Sequence, residues 1–81
     1  MKVIFSDESN KFLHKIPKSD VEVILKKLYT IKDNPYPYIK RLKGSKLWRI
    51  RVLKYRAILD IVIKAKTLYV VRIGYRKNVY D

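Results

Sequence analysis

The fold is decided by residues 48 to 59, which read Trp48-Arg49-Ile50-Arg51-Val52-Leu53-Lys54-Tyr55-Arg56-Ala57-Ile58-Leu59. Apolar and basic residues alternate in the first five positions, and a second apolar strand starts at Tyr55. Alternation places apolar side chains on one face of a strand and guanidiniums on the other. A tight turn at Leu53-Lys54 then sets Arg51 directly opposite Arg56. Like charges in that position destabilise a sheet, so the pair indicates a site that a polyanion completes.

The same pairing predicts the helix-facing side of the sheet, which comprises Trp48, Ile50, Val52, Tyr55, Ala57, Leu59, Ile61 and Ile63. The next hairpin is open to two registers. A three-residue loop, Ala65-Lys66-Thr67, sets Arg56 opposite Arg76 and Asp60 opposite Arg72, with Tyr69, Val71 and Ile73 completing the core. A two-residue loop inverts the faces and buries Arg72. We favour the first register because it avoids a buried arginine.

The N-terminal half has a different period. A strand at 2–6 and a short helix at 7–16 come first. Ser19-Asp20-Val21-Glu22 has the pattern of a capping box, and the helix after it runs to about residue 32. Further strands are expected near 38–42, 46–52, 55–64 and 68–75. The sequence predicts one α+β domain over 1–81, with the order β-α-α-β-β-β-β and a helical hairpin packed on a twisted antiparallel sheet.

The chain is strongly basic, with 20 Lys and Arg against 7 Asp and Glu and a net charge of +13. The excess is concentrated in the second half, because residues 40–81 hold 13 of the bases and only two acids, Asp60 and Asp81. A concentrated basic surface is typical of nucleic-acid binding. An acidic protein partner is the alternative that charge alone leaves open.

Several other functional classes lack their sequence signals. The chain has no cysteine and one histidine, His14, which we expect on the surface. No carboxylate cluster suited to Mg²⁺ is evident, so we expect neither a metal nor a cofactor. No apolar run approaches the roughly 20 residues of a membrane span, and the N-terminus reads as a strand rather than a signal peptide. We expect a cytoplasmic protein.

Taken in order, four segments resemble the RelE/ParE toxin superfamily, and specifically RelE-like mRNA interferases. They are Leu42-Lys43-Gly44, Trp48-Arg49-Ile50-Arg51-Val52, Tyr55-Arg56-Ala57-Ile58-Leu59 and Gly74-Tyr75-Arg76-Lys77-Asn78-Val79-Tyr80. Each segment is a weak signal alone, but their order and spacing together are specific. The resemblance covers essentially the whole chain and implies the RelE-like fold.

The resemblance also implies an activity and a site. RelE-like toxins cut mRNA in the ribosomal A site, where the ribose 2′-hydroxyl attacks the adjacent phosphate, and a RelB-like antitoxin inactivates them in a hetero-oligomer. The catalytic positions fall on Arg49, Arg51, Arg56, Arg76 and Tyr80. We expect additional contacts to RNA or the ribosome from Lys43, Lys46, Lys54 and Lys77.

Fixed guanidiniums stabilise a phosphorane dianion without a metal, but arginine cannot serve as a general base at neutral pH. Tyr80, Lys46, Lys77, Tyr55 or a phosphate oxygen therefore remain as proton acceptors. Two other functions stay open, namely a ParE-like inhibitor of DNA gyrase and an inactive relic that binds nucleic acid or antitoxin.

In the favoured register the arginine face also carries apolar side chains, at Leu47, Leu53, Ile58, Val62, Leu68 and Val70. A small domain rarely leaves so much apolar sheet bare. We therefore expect part of this face, at Leu47, Ile58, Val62 and Val70, to receive a helix or strand of the antitoxin.

Overall fold

A computed structural model describes residues 1–77 of the chain. It contains, in order, β1 (Lys2–Phe5), α1 (Asp7–Leu13), α2 (Lys18–Ile31), a 3₁₀ turn (Tyr36–Tyr38), β2 (Lys40–Arg41), β3 (Trp48–Val52), β4 (Tyr55–Val62) and β5 (Thr67–Tyr75). The predicted α+β class and element order are confirmed. The predicted strand at 38–42 is reduced to two residues, because Tyr36-Pro37-Tyr38 forms the 3₁₀ turn.

The five strands form one sheet in the order β1-β5-β4-β3-β2. The sheet is mixed rather than wholly antiparallel, because β1 runs parallel to β5 with Lys2 beside Thr67. Both helices cover one face of the sheet. The core between them combines Ile24, Leu28 and Ile31 of α2 with residues of the three central strands.

The β3–β4 hairpin has the predicted register, with Val52 opposite Tyr55 and Arg51 opposite Arg56. Leu53 opens its two-residue turn with φ of 56°, a left-handed conformation that is uncommon for a residue with a side chain. The helix-facing residues predicted from this register are buried or packed against the core, with one exception. Ile63 lies beyond the end of β4 in the next turn and is exposed.

Neither predicted register holds along the whole β4–β5 pair. Ile58 pairs with Arg72 and Leu59 with Val70, so a β-bulge inserts Val71 into β5. The bulge switches the faces of β5. As a result Leu68, Val70 and Ile73 all enter the core, while Arg72 is exposed.

Several predictions about the β4–β5 pair are therefore wrong. Arg56 lies opposite Gly74 rather than Arg76, and Asp60 lies opposite Tyr69 rather than Arg72. Tyr69 is only half-buried, and Val71 packs on the face away from the helices, so these two residues do not complete the core.

The two helices differ in how their N-termini are capped. Ser6 caps α1 by accepting a 3.0 Å hydrogen bond from the Ser9 amide. The capping box predicted from Ser19 to Glu22 is wrong, because α2 starts at Lys18 and Pro17 occupies its N-cap position without a side-chain hydrogen bond. Of the helices described in residues 1–77, none is long and apolar enough to cross a membrane.

Candidate functional site

Four arginines converge at one end of the sheet. Arg49 and Arg51 alternate on β3, and Arg56 sits directly opposite Arg51 on β4, so the three side chains share the face away from the helices. Arg76 follows β5, and its amide donates a 3.0 Å hydrogen bond to the carbonyl of Lys54 in the β3–β4 turn. That backbone bond brings Arg76 to the arginine hairpin although the strand register does not pair it with Arg56.

Arg56 is the most enclosed of the four, with 9% of its surface exposed. Burial lowers the pKa of its guanidinium, and the charges of Arg49, Arg51 and Arg76 lower that pKa further. Arginine nevertheless stays charged at physiological pH. The fold therefore holds four mutually repelling cations together, an arrangement that a bound polyanion stabilises.

The arginine hairpin is anchored from behind by Tyr55. Its hydroxyl donates a 2.5 Å hydrogen bond to the carboxylate of Asp20 on α2. Burial raises the pKa of Tyr55 to about 12, with a further contribution from the bond to Asp20. Phe12 and Tyr75 pack against this ring at centroid distances of 5.8 and 5.4 Å. Tyr55 is thus part of the core on the helix-facing side of the hairpin, and its hydroxyl is occupied by Asp20.

The lysines predicted to contact RNA are all exposed, at Lys43, Lys46, Lys54 and Lys77. Lys54 forms the β3–β4 turn with Leu53, and its ammonium is 5.9 Å from the ring centroids of Tyr55 and Tyr75. Lys43 and Lys46 belong to the segment between β2 and β3, where Gly44 has φ of 71°. Lys77 follows Arg76 directly.

Two ion pairs differ from prediction. The Lys46 ammonium lies 3.9 Å from the carboxylate of Asp60. Arg72, which was expected to pair with Asp60, instead lies 3.7 Å from Glu8 on α1. The observed register explains the exchange, because Arg72 lies opposite Ile58, two positions along β4 from Asp60.

The apolar surface predicted beside the arginines is smaller than expected. Ile58 and Leu42 form a buried cluster on this face, with Leu47 and Val71 packed against it. Val62 is exposed. Val70 lies in the core between sheet and helices and is inaccessible, so its assignment to the docking surface is wrong.

A concave edge site adjoins the arginines and was not predicted from the sequence. It has a volume of about 170 Å³ and is lined by Tyr38, Lys40, Arg49, Ile50 and Arg51. The two residues of β2 pair only with Trp48 and Arg49, and the residues before β2 form the 3₁₀ turn Tyr36–Tyr38 instead of extending the ladder along β3. The aromatic and proline run before Lys40 was the available sequence signal for it.

Tyr80, the fifth predicted catalytic residue, lies outside the described residues. His14 is exposed as expected, and its Nδ1 is 2.7 Å from the carbonyl of Asn10. Within residues 1–77 no group of three or more His, Asp or Glu side chains is placed to hold a metal ion.

A sequence profile described as "ParE toxin of type II toxin-antitoxin system, parDE" matches residues 3–80. Because the match spans nearly the whole chain, the protein belongs to this family of type II toxins, within the RelE/ParE superfamily. No curated protein sequence matches.

Solved structures show the same fold in RelE proteins. The toxin–antitoxin complex RelBE2 from Mycobacterium tuberculosis matches with a TM-score of 0.81 at 20% identity, over 93% of this chain and 96% of that one. The archaeal RelE–RelB complex from Pyrococcus horikoshii matches with a TM-score of 0.81 at 22% identity, over 96% and 97%. Isolated RelE from E. coli matches with a TM-score of 0.79 at 20% identity, over 91% and 82%.

Proposed function

We propose that this toxin cleaves mRNA in the ribosomal A site, in the cytoplasm, without a metal ion. The observation that carries the proposal is the cluster of Arg49, Arg51, Arg56 and Arg76 around a partly buried position on the sheet. A face built only to inhibit another protein does not require an enclosed guanidinium beside three others. A phosphodiester that gains negative charge during the reaction does require such a cluster, because the guanidiniums stabilise that charge.

In the proposed reaction the ribose 2′-oxygen attacks the adjacent phosphorus, and the bond from phosphorus to the 5′-oxygen breaks. The products are a 2′,3′-cyclic phosphate and a free 5′-hydroxyl. The phosphorane between them carries extra charge on its non-bridging oxygens. In this proposal the facing pair Arg56 and Arg51 binds those oxygens, and Arg49 and Arg76 bind neighbouring phosphates.

The proton of the 2′-hydroxyl requires an acceptor, and the 5′-oxygen requires a donor. The four arginines do not accept a proton at neutral pH. Tyr55 is buried and already donates to Asp20. The candidates are therefore Lys46, Lys77, Tyr80 or an oxygen of the phosphate itself.

We further propose that a RelB-like antitoxin inactivates the toxin in a hetero-oligomer. The +13 charge favours an acidic partner, and the half-buried Leu47, the exposed Val62 and the rim of the Ile58 cluster provide apolar contacts beside the arginines. RelB–RelE complexes with the same fold support such a partner. Pull-down with the small acidic protein encoded beside this toxin tests the pairing, and absence of a complex would contradict it.

Cleavage on programmed ribosomes tests the enzymatic proposal. Primer extension should locate cuts in the A-site codon with the wild-type chain and none with Arg76→Ala. Arg76 is exposed, so its removal leaves the core intact. Lys64→Ala is the matched control, because it removes an exposed cation at the opposite hairpin and should cleave normally. Cleavage by Arg76→Ala at the wild-type rate would refute the site.

Inhibition of DNA gyrase is a second candidate, favoured by the match to the ParE toxin family. A supercoiling assay separates the two functions. A folded wild-type chain that leaves mRNA intact on ribosomes but blocks gyrase would replace the first proposal with the second. Inactivity in both assays would favour a relic that binds antitoxin or nucleic acid.

A further inference from the structure

We propose that Tyr38 forms a stacking subsite for an unpaired RNA base next to the phosphates that Arg49 and Arg51 bind. The inference deepens the proposed function of the arginine face and rests on it. It assigns a role to the edge site defined by Tyr38, Lys40, Arg49, Ile50 and Arg51. The ligand is a single-stranded ribonucleotide, with its base on the tyrosine ring and its phosphate on the guanidiniums.

The exposure of Tyr38 is the first observation. Its side chain belongs to the 3₁₀ turn Tyr36–Tyr38 and is 53% exposed. Pro35 and Pro37 precede the ring in this turn, and because proline fixes its own φ angle, Tyr38 has less backbone entropy to lose when a ligand covers its ring. Ordered exposed rings beside a cationic surface are a common means of binding single strands, because every base has a π-face.

The electrostatic setting of the ring is the second observation. The ammonium of Lys27 on α2 lies 4.9 Å from the Tyr38 ring centroid. This cation–π contact fixes the ring against the helix. Lys40 and Arg51 are exposed on the other borders of the site. A nucleotide whose base stacks on Tyr38 would thus have its phosphate close to the basic side chains that line the site.

The position of the site along β3 is the third observation. Lys40 pairs with Arg49, and the β2–β3 ladder ends there. Beyond that point Ile50 and Arg51 border the site at the edge of the sheet. A nucleotide in the site would lie beside Arg51, which in turn faces Arg56. The base subsite on the 3₁₀ turn therefore adjoins the phosphate subsite on β3.

An oligonucleotide-binding experiment tests the subsite without ribosomes. The probe is a short fluorescein-labelled single-stranded oligoribonucleotide with 2′-deoxy sugars wherever cleavage is possible, titrated by anisotropy with the full chain. Tyr38→Ala should weaken binding roughly 5- to 100-fold, which is the range that stacking on one aromatic ring spans. Tyr38→Trp should retain affinity. Tyr29→Ala is the matched control, since Tyr29 is 50% exposed on α2 and does not line the edge site, and it should bind as the wild type does.

A base-free probe separates stacking from other effects of the substitution. With an abasic site placed along the strand, the wild-type chain should lose affinity at one position, and Tyr38→Ala should lose nothing further there. Duplex RNA, whose bases are already stacked, should bind both variants equally. Equal binding of single strands by wild type and Tyr38→Ala overturns the proposal, as does undetectable binding by the wild type. Loss of antitoxin binding alone would also overturn it and assign Tyr38 to a protein interface.

The cleavage assay shows whether the subsite and the proposed function fail together. Stacking at Tyr38 without any ribosomal cleavage would refute the nuclease and keep the subsite. Normal cleavage with unchanged affinity and unchanged codon preference in Tyr38→Ala would refute the subsite and keep the nuclease.

Discussion

Arg51 and Arg56 lie directly opposite each other across the β3–β4 hairpin. Facing residues of an antiparallel pair have Cβ atoms only about 4.5–5.5 Å apart, and Arg56 is largely buried. The hairpin therefore maintains a repulsive contact in a position where a β-branched pair would stabilise it. An anion bound between the two guanidiniums replaces their repulsion with two charge-assisted contacts. Relief of the repulsion therefore adds to the free energy of anion binding.

The opposed pair predicts that activity and stability change in opposite directions. Arg51→Thr should raise the free energy of unfolding by about 0.2–1 kcal/mol, since a like-charged neighbour of Arg56 is removed, and should lower ribosomal cleavage. Lys2→Thr is the control, because Lys2 pairs with the uncharged Thr67 and its removal should leave cleavage unchanged. Urea unfolding of the three chains measures the first effect. A destabilised Arg51→Thr would contradict the account of strain.

Arg56 is predicted to contribute most to the chemical step. Arg56→Met keeps an apolar stem in the enclosed position, so the fold should survive, while the rate of single-turnover cleavage should fall on the order of 10²-fold or more. Arg56→Lys restores charge without the planar fork and should fall between wild type and Arg56→Met. Equal rates for the Lys and Met variants would show that charge at this position does not matter.

The hairpin that carries the arginines was predictable because its information is local. Two residues of turn separate an alternating strand from an apolar one, and this fixes the register without reference to the rest of the chain. The same local reasoning placed Arg51 opposite Arg56. Arg76, by contrast, was expected opposite Arg56, but it lies beside the turn, where its amide donates a hydrogen bond to the carbonyl of Lys54.

The β4–β5 pair was not predictable in the same way. Each uniform register puts either Leu68 and Val70 or Ile73 on the wrong face, and only an inserted residue satisfies all three. No glycine marks the bulge at Val71, so the sequence carries no local signal for it. The selection comes from packing against the helices.

Asp20 shows the same limit. Its surrounding residues read as a capping box with Ser19 as the N-cap, but the N-cap lies two residues earlier, at Pro17. Asp20 instead accepts a hydrogen bond from Tyr55, 35 positions along the chain. Contacts between distant residues decided this position.

The hydrogen bond between Tyr55 and Asp20 can be tested by measuring stability as a function of pH. The pKa of Tyr55 is raised in the folded state from 10.0 to about 12, so its contribution to stability is complete below pH 10 and is lost as the pH rises through about 12. Tyr55→Phe should be less stable by about 1.5–3 kcal/mol at neutral pH, because Asp20 loses its donor. The difference from wild type should narrow toward pH 12, as urea unfolding at both pH values would show. Tyr29→Phe, at an exposed tyrosine, is the control for loss of a hydroxyl group and should match the wild-type stability at neutral pH. A difference that is constant with pH would refute the bond.

RNA binding by the arginine face should depend steeply on salt. If Arg49, Arg51, Arg56 and Arg76 each neutralise a phosphate, the logarithm of the affinity for single strands should fall with the logarithm of salt concentration with a slope of roughly −2.8, at about 0.7 per contact. Arg51→Thr should reduce the slope by about 0.7, and Lys64→Ala should leave it unchanged. A slope near zero for the wild type would contradict phosphate recognition.

Leu53 offers a way to separate backbone strain from function. It is exposed and opens the arginine hairpin with φ of 56°, which costs a residue with a side chain about 1–2 kcal/mol. Glycine adopts this conformation freely but loses roughly 0.5–1 kcal/mol more backbone entropy on folding. Leu53→Gly should therefore increase stability slightly. Ile63→Gly, at an exposed turn position without positive φ, should decrease the free energy of unfolding, as denaturant unfolding of both variants would show.

The turn also binds the amide of Arg76 through the carbonyl of Lys54. Unchanged cleavage by Leu53→Gly would therefore show that the site requires the hairpin geometry rather than the leucine side chain. Lower stability of Leu53→Gly would show that the leucine makes contacts that outweigh its backbone strain.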